Sequence, residues 1–145
     1  MGLIALLLAL LVTFGGCMTQ NDEVLSSLGR YREKEYYTKG VFQDFTDYAK
    51  YTYDTASLAE NRYFQPMSAQ GETALKTHIE DFEQWVSISD EDGELAQNYD
   101  FDLALITDDD YWYIYDDPQY PELGNYDVYF FDMGSMTLYY FHNNI

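Results

Sequence analysis

The sequence contains a single cysteine, Cys17, and only two histidines, His78 and His142. One cysteine excludes an internal disulfide and a cysteine-based zinc site. The chain also lacks a GxSxG nucleophile elbow, a Walker loop and an HExxH pair. Because no recognisable set of catalytic groups remains, we expect a protein without enzymatic activity.

Basic residues are scarce and unevenly placed. The 145 residues include 7 Lys and Arg against 26 Asp and Glu, and no Lys or Arg follows Lys76. Seventeen acidic residues lie between His78 and Ile145. This charge repels nucleic acid and attracts cations or a basic protein. We therefore expect no nucleic-acid partner.

Apolar and aromatic residues are plentiful. The chain is 47% hydrophobic and 19% aromatic, with 16 tyrosines, which is too apolar for a disordered protein. Removal of residues 1–16 would leave 145 − 16 = 129 residues, enough for one domain with a hydrophobic core. We expect a single domain over residues 31–145.

The apolar run over residues 2–14 ends at Gly15, Gly16 and Cys17. It is too short to span a bilayer but matches the apolar region of a signal peptide. The segment "FGGC" resembles the lipobox of bacterial lipoproteins, in which the cysteine receives a diacylglyceryl thioether and becomes the new N-terminus after cleavage. The resemblance implies a signal peptide over residues 1–16, a fatty-acylated Cys17 and a location on the extracytoplasmic face of the cell membrane. An ordinary signal peptide or a lone membrane anchor is the alternative.

Residues 17–30 read as a lipid-anchored tether, because "MTQNDEVLSSLGR" is polar and its side chains are small. Two helices are then predicted from apolar residues at three- and four-residue spacing. The first covers residues 41–54 and presents Phe42, Phe45, Ala49 and Tyr53. The second is capped by Ser68, runs to about Val86, and presents Leu75, Ile79, Phe82 and Val86.

After Asp100 the apolar residues alternate with a period of two, which predicts strands. The four segments are "FDLALI", "YWYIY", "YDVYFF" and "MTLYYF". Short links between them favour an antiparallel meander. The predicted fold is therefore α+β, with two N-terminal helices packed on one face of a four-stranded antiparallel β-meander.

Turn positions predict the register. A two-residue turn at "DD", residues 108–109, pairs Ile106 with Tyr111, and the turn "DMGS" pairs Phe131 with Met136 and Tyr129 with Leu138. Both faces of the last hairpin are then apolar or aromatic. One face is either covered by residues 31–66 or open to a partner.

Two groups of candidate site residues follow from this register. Tyrosines combine contact area with a polar tip, so the candidate ligand-binding residues are Tyr113, Tyr115 and Tyr129. Neighbouring carboxylates repel unless they are solvated or bridged by a hard cation, so the candidate site for weakly bound calcium is Asp100, Asp102 and Asp117. No other cofactor is expected.

These features favour a lipid-anchored binding or interaction module whose partner is a basic protein or a glycan. Salt-sensitive binding would indicate the protein and salt-insensitive binding the glycan. A carboxylate-dependent enzyme acting on glycans and a cation-binding structural protein of the cell envelope are the alternatives. The segments "DFTDYAKY", "YDVYFFD" and "LYYFHNNI", within residues 36–145, resemble small uncharacterised lipoproteins of Gram-positive bacteria. That resemblance implies no activity.

Overall fold

The computed structural model describes residues 20–41, 44–89, 92–120 and 124–144. Cys17, the expected signal peptide and Phe42 lie outside them. The strands are β1 Glu33–Val41, β2 Asp44–Thr52, β3 Gln65–Pro66, β4 Tyr111–Asp116, β5 Tyr126–Asp132 and β6 Thr137–Asn144. The helices are α1 Gln20–Leu28, α2 Ala69–Ser89 and α3 Glu94–Asn98, with a 3-10 turn over Leu103–Leu105.

All six strands form one antiparallel sheet in the order β1-β2-β6-β5-β4-β3. The last strand, β6, lies in the centre and pairs with both β2 and β5. Phe45 of β2 is therefore paired with Asn144 of the neighbouring strand β6. Successive side chains of a strand point to opposite faces, so the sheet has two faces that pack against different segments.

One face, here called the α2 face, packs against α2 and α3. Ser68 Oγ accepts a hydrogen bond from the backbone N–H of Gly71 at 3.1 Å, as an N-cap does. The second predicted helix is confirmed, and all four residues of its predicted apolar side are buried. Its buried residues are Leu75, Ile79, Phe82 and Val86, and those of the sheet beneath are Tyr48, Val128, Phe130 and Phe141.

The other face, here called the α1 face, is covered along much of its length by α1 and the segment 53–64. Val24 and Leu28 of α1 are 0% and 1% exposed and pack with Leu58 and Phe64 of that segment. The described part of residues 17–30, expected to be a tether, is thus a helix packed on the sheet. The reason is that Val24 and Leu28 are four residues apart and lie on one side of a helix.

The predicted arrangement of two helices on a four-stranded meander is wrong. Residues 44–52, predicted as helix, form β2, and the preceding residues form β1. Phe45 and Ala49 suggested a helix because they are four residues apart. Four is also an even number, so the same spacing places both residues on one face of a strand. The strand β2 is buried on both faces over Thr46–Ala49, which removes the alternation that would have identified it.

The predicted strand "FDLALI" is also wrong, because Leu103–Leu105 form a 3-10 turn. Asp102 caps this turn by accepting a hydrogen bond from the backbone N–H of Ala104 at 2.8 Å. The strand β4 pairs instead with β5 and β3. Asp102 therefore stops the extended chain before it can pair with β4.

The register of the last hairpin differs from the prediction by two residues, since Phe131 pairs with Leu138. Asp132 holds a longer turn by accepting from Gly134 N at 2.8 Å and from Ser135 Oγ at 2.6 Å. A shift of two residues leaves each side chain on its predicted face.

Candidate functional site

Two of the three candidate ligand-binding tyrosines belong to the packed part of the α1 face. Tyr113 and Tyr129 stack with ring centroids 5.6 Å apart. Tyr129 is 0% exposed and its hydroxyl donates to Asn21 Oδ1 of α1 at 3.0 Å. The ring of Tyr63 lies 5.3 Å from that of Tyr113. These contacts make Tyr113 and Tyr129 core residues, and only Tyr115 faces an open surface.

The three candidate metal ligands have separate partners. Asp100 accepts hydrogen bonds from Tyr48 Oη at 2.7 Å and from Lys50 Nζ at 2.6 Å, whereas Asp102 caps the 3-10 turn. Burial raises the pKa of Asp100, but these hydrogen bonds outweigh burial and leave the pKa below its usual value. Over residues 20–41, 44–89, 92–120 and 124–144, no three His, Cys, Asp or Glu side chains are grouped so that they could hold a metal ion.

Tyr115 and Asp117, one from each candidate group, line a common depression of about 210 Å³. The ends of the neighbouring strands β2, β6, β5 and β4 lie side by side here. This is the end of the α1 face that α1 does not cover. The lining residues are Phe45, Tyr115, Asp117, Asn125, Tyr126, Asp127, His142 and Asn144. Among the described residues, no Lys or Arg contributes to this lining.

The sheet register places Asp127 and His142 side by side in the depression. His142 Nδ1 lies 2.8 Å from Asp127 Oδ1, and Tyr140 Oη donates to the same oxygen at 2.6 Å. Because a carboxylate oxygen accepts, Nδ1 of His142 carries a proton in this arrangement. Burial, followed by the negative charge of Asp127, raises the pKa of Tyr140, so its hydroxyl remains a donor.

A second carboxyl group belongs to Asp47 of β2. This strand pairs with β6 on the side opposite β5, and Asp47 is the residue paired with His142. Asp47 is 5% exposed, and its Oδ1 has no hydrogen-bond partner in the described part of the chain. Burial, followed by the charge of Asp47 and a hydrogen bond to it, raises the pKa of Tyr36 to about 12. An unsatisfied buried polar atom costs about 1–3 kcal/mol and requires an explanation. One imidazole therefore stands between two carboxyl groups.

Aromatic rings complete the depression. The ring of Phe45 lies 5.0 Å from that of His142, and Phe45 is 37% exposed. Tyr115 lines the depression from β4, and Asp117 follows at the end of that strand. Carboxylates next to exposed ring faces suit an organic cation, because the cation is attracted to both.

Sequence reasoning missed Asp47, Asp127 and His142. His142 follows the last predicted strand, and Asp47 lies within the predicted helix over residues 41–54. The alternation of Tyr140 and His142 along β6 was the available signal, since both lie on one face. Asp47 joins them only through the pairing of β2 with β6.

A larger groove of about 530 Å³ lies beside α1 and contains positive side chains. Arg32, one of its lining residues, is paired with Asp54 at 3.0 Å and with Glu33 at 3.3 Å. The ammonium group of Lys34 lies 4.9 Å from the ring centre of Tyr36. Arg32 and Lys34 thus have protein partners, and Arg30 is a third positive side chain in the lining of this groove.

No protein-family model, curated protein or solved structure matches this chain. No helix among the residues with described structure is long and apolar enough to cross a membrane.

Proposed function

We propose that the protein is a lipid-anchored extracytoplasmic binding module whose acidic surface engages a basic protein. The observation that carries the proposal is the excess of negative charge in the second half of the chain, where no Lys or Arg follows Lys76. Exposed acidic residues of this half include Glu80, Asp92, Glu94, Asp102, Asp108 and Asp109. A surface of one charge sign attracts an oppositely charged partner and accelerates its association.

A basic protein is favoured over a glycan because two of the three tyrosines expected to stack on sugar rings are covered. Tyr129 is buried under α1, and Tyr113 packs against Tyr63. The chain carries a formal net charge of −19, which contributes nothing to the attraction of a neutral saccharide but attracts a basic surface.

The lipid anchor rests on the resemblance of "FGGC" to a lipobox. The helix α1 begins at Gln20, which is 20 − 17 = 3 positions after Cys17. An extended chain covers at most about 3.3–3.6 Å per residue, so the anchor would hold the domain within about 11 Å of the first residue of α1. The domain would therefore stand close to the membrane surface.

The anchor is tested by expressing the full chain in a Gram-positive host and measuring the intact mass of the membrane-bound protein. We expect a diacylglyceryl group on Cys17 and loss of residues 1–16. The Cys17→Ser variant is the control and should remain unmodified. An unmodified residue 17 that is still attached to the leader would contradict the proposal.

Binding is tested with the full chain in detergent and three probes: an oligolysine peptide, an oligoglutamate peptide and a chitin oligosaccharide. We expect binding of oligolysine alone, with a Kd that rises with added salt. Salt-independent binding of the saccharide would contradict the proposal.

A pair of variants separates a defined surface from net charge. One variant neutralises three exposed acids of the second half, namely Glu80, Asp92 and Glu94. The matched variant neutralises three acids whose carboxylates are already paired with basic side chains, namely Glu33, Glu35 and Asp54. We expect the first variant to weaken oligolysine binding more than the second. Equal losses would show that net charge alone drives binding.

A further inference from the structure

We infer that the depression lined by Phe45, Tyr115, Asp117, Asp127 and His142 binds the charged end of a lysine or arginine side chain. The inference rests on the proposed function, because it names the place where the basic partner inserts a side chain. The ligand class is an ammonium or guanidinium group at the end of an alkyl chain.

The first argument is charge. Asp117 and Asp127 line the depression, and among the lining residues only His142 can carry a positive charge. Asp47 is paired with His142 in the neighbouring strand, and its Oδ1 has no hydrogen-bond partner within the described ranges. Asp47 and Asp127 thus occupy the positions on either side of His142 in the neighbouring strands, and Asp117 lines the same depression. Interactions between charges are stronger at a partly buried site than in water, so the site favours a cation.

The second argument is shape. A depression of about 210 Å³ is smaller than the sites that enclose drug-sized ligands, which measure about 300–1,000 Å³. It has room for the end of one side chain. Phe45 and Tyr115 supply ring surface against which the alkyl part of lysine or arginine can pack, and ring faces attract cations.

The third argument is pre-organisation. Asp127 is held by Tyr140 Oη and His142 Nδ1 through one of its oxygens, and its side chain is only 16% exposed. Asp117 is held at the end of β4 by a hydrogen bond from Gln119 N to its Oδ1 at 2.9 Å. Carboxylates fixed in this way lose little conformational freedom when a cation binds, which favours affinity.

The experiment is an NMR titration of the full chain in detergent with Nα-acetyl-lysine methylamide. We expect saturable shifts of the ring signals of Tyr115 and His142. The same compound acetylated at Nε is the neutral control and should bind at least about tenfold more weakly, since it retains the alkyl chain but not the charge. Equal binding of the two compounds would overturn the inference.

Two site variants and one control locate the binding. Asp127→Asn keeps an acceptor oxygen for Tyr140 and His142 but removes the charge, and Asp117→Asn removes the charge at the rim. Asp109→Asn removes the same charge from an exposed turn outside the depression. We expect the two site variants to bind the lysine compound about tenfold more weakly and the control to bind as the native chain does.

The measurements distinguish a wrong binding site from a wrong proposed function. If oligolysine binds the native chain, and Asp117→Asn and Asp127→Asn bind both it and the lysine compound unchanged, the site is wrong and the function stands. If oligolysine does not bind the native chain at all, the proposed function is wrong. Because Asp117 lies in a loop after β4, its variant tests the site even if Asp127→Asn fails to fold.

Discussion

Replacement of Gly71 by alanine tests the packing of α2 on the sheet. Gly71 is buried in the first turn of α2, next to the indole of Trp112 on β4. A Cβ atom at this position would lie 2.3 Å from Trp112 Nε1 and 2.5 Å from Cε2. Non-bonded carbon atoms normally approach to about 3.5–4.0 Å, so the indole ring would have to move by about 1 Å or more.

The expected change in stability is the difference of two opposing effects. Alanine is favoured over glycine in a helix by about 1 kcal/mol. Overpacking a filled site costs about 1–3 kcal/mol, and occasionally more. The ring of Trp112 is stiff and its Nε1 is buried, so we place the cost near the upper end. Gly71→Ala should therefore destabilise the domain by about 1–2 kcal/mol.

The assay is urea unfolding of four proteins: the native chain, Gly71→Ala, Trp112→Leu and the double variant. When the indole is absent, no overpacking opposes the preference of a helix for alanine over glycine. Gly71→Ala should therefore stabilise the Trp112→Leu background by about 0.5–1 kcal/mol. This reversal of sign identifies the contact. A single variant at least as stable as the native chain would refute the packing of Trp112 on Gly71.

Three further results are expected. Leu28→Ala should lower the free energy of unfolding by about 2–5 kcal/mol in urea, because Leu28 of α1 is 1% exposed; an unchanged midpoint would show that α1 does not pack. Asp100 has a lowered pKa, so it stabilises the fold above its unfolded pKa and loses this effect as pH falls through the folded value. The stability difference between the native chain and Asp100→Asn should therefore shrink as pH falls from above the unfolded pKa through the lower folded pKa, and a constant difference would contradict it. Asp47→Asn should lower the pKa of Tyr36 from about 12 towards 10.0 but leave it above, since burial is the largest cause; NMR titration of the Tyr36 ring tests this, and an unchanged pKa would exclude the contact.

The elements that sequence patterns predicted well are those with one unambiguous period. Leu75, Ile79 and Phe82 repeat over a long segment at a spacing that only a helix can bury on one side. The aromatic runs of β4, β5 and β6 likewise predict strands, and the structure contains all three. Local patterns suffice where the surrounding structure agrees with them.

The elements that were mispredicted depend on information outside the local pattern. The spacing of Phe45 and Ala49 fits both a helix and a strand, and the pairing of β2 with β1 and β6 decides between them. Asp102 lies in an alternating segment, yet its side chain caps a turn. Short polar residues compete with strand hydrogen bonding in this way, and the pattern of apolar residues does not record it.

The candidate site was only partly predictable for the same reason. Tyr115 and Asp117 are neighbours in sequence and were both identified. Asp47, Asp127 and His142 come from three strands, and the order β2-β6-β5 alone brings them into one row. The wrong assignment of β2 removes Asp47 from that row, so this error in the fold accounts for the omission of Asp47.

The central position of β6 has a consequence for how the chain acquires its shape. The strands β1 and β2 form one hairpin, and β3, β4 and β5 form another group, but only β6 joins them. The contact between Thr46 and Asn143 spans 97 residues, so the sheet is completed only when β6, the last strand, has been synthesised. If this last strand were missing, the edges of β2 and β5 that pair with it would lose their partner, and the sheet would be divided into two parts.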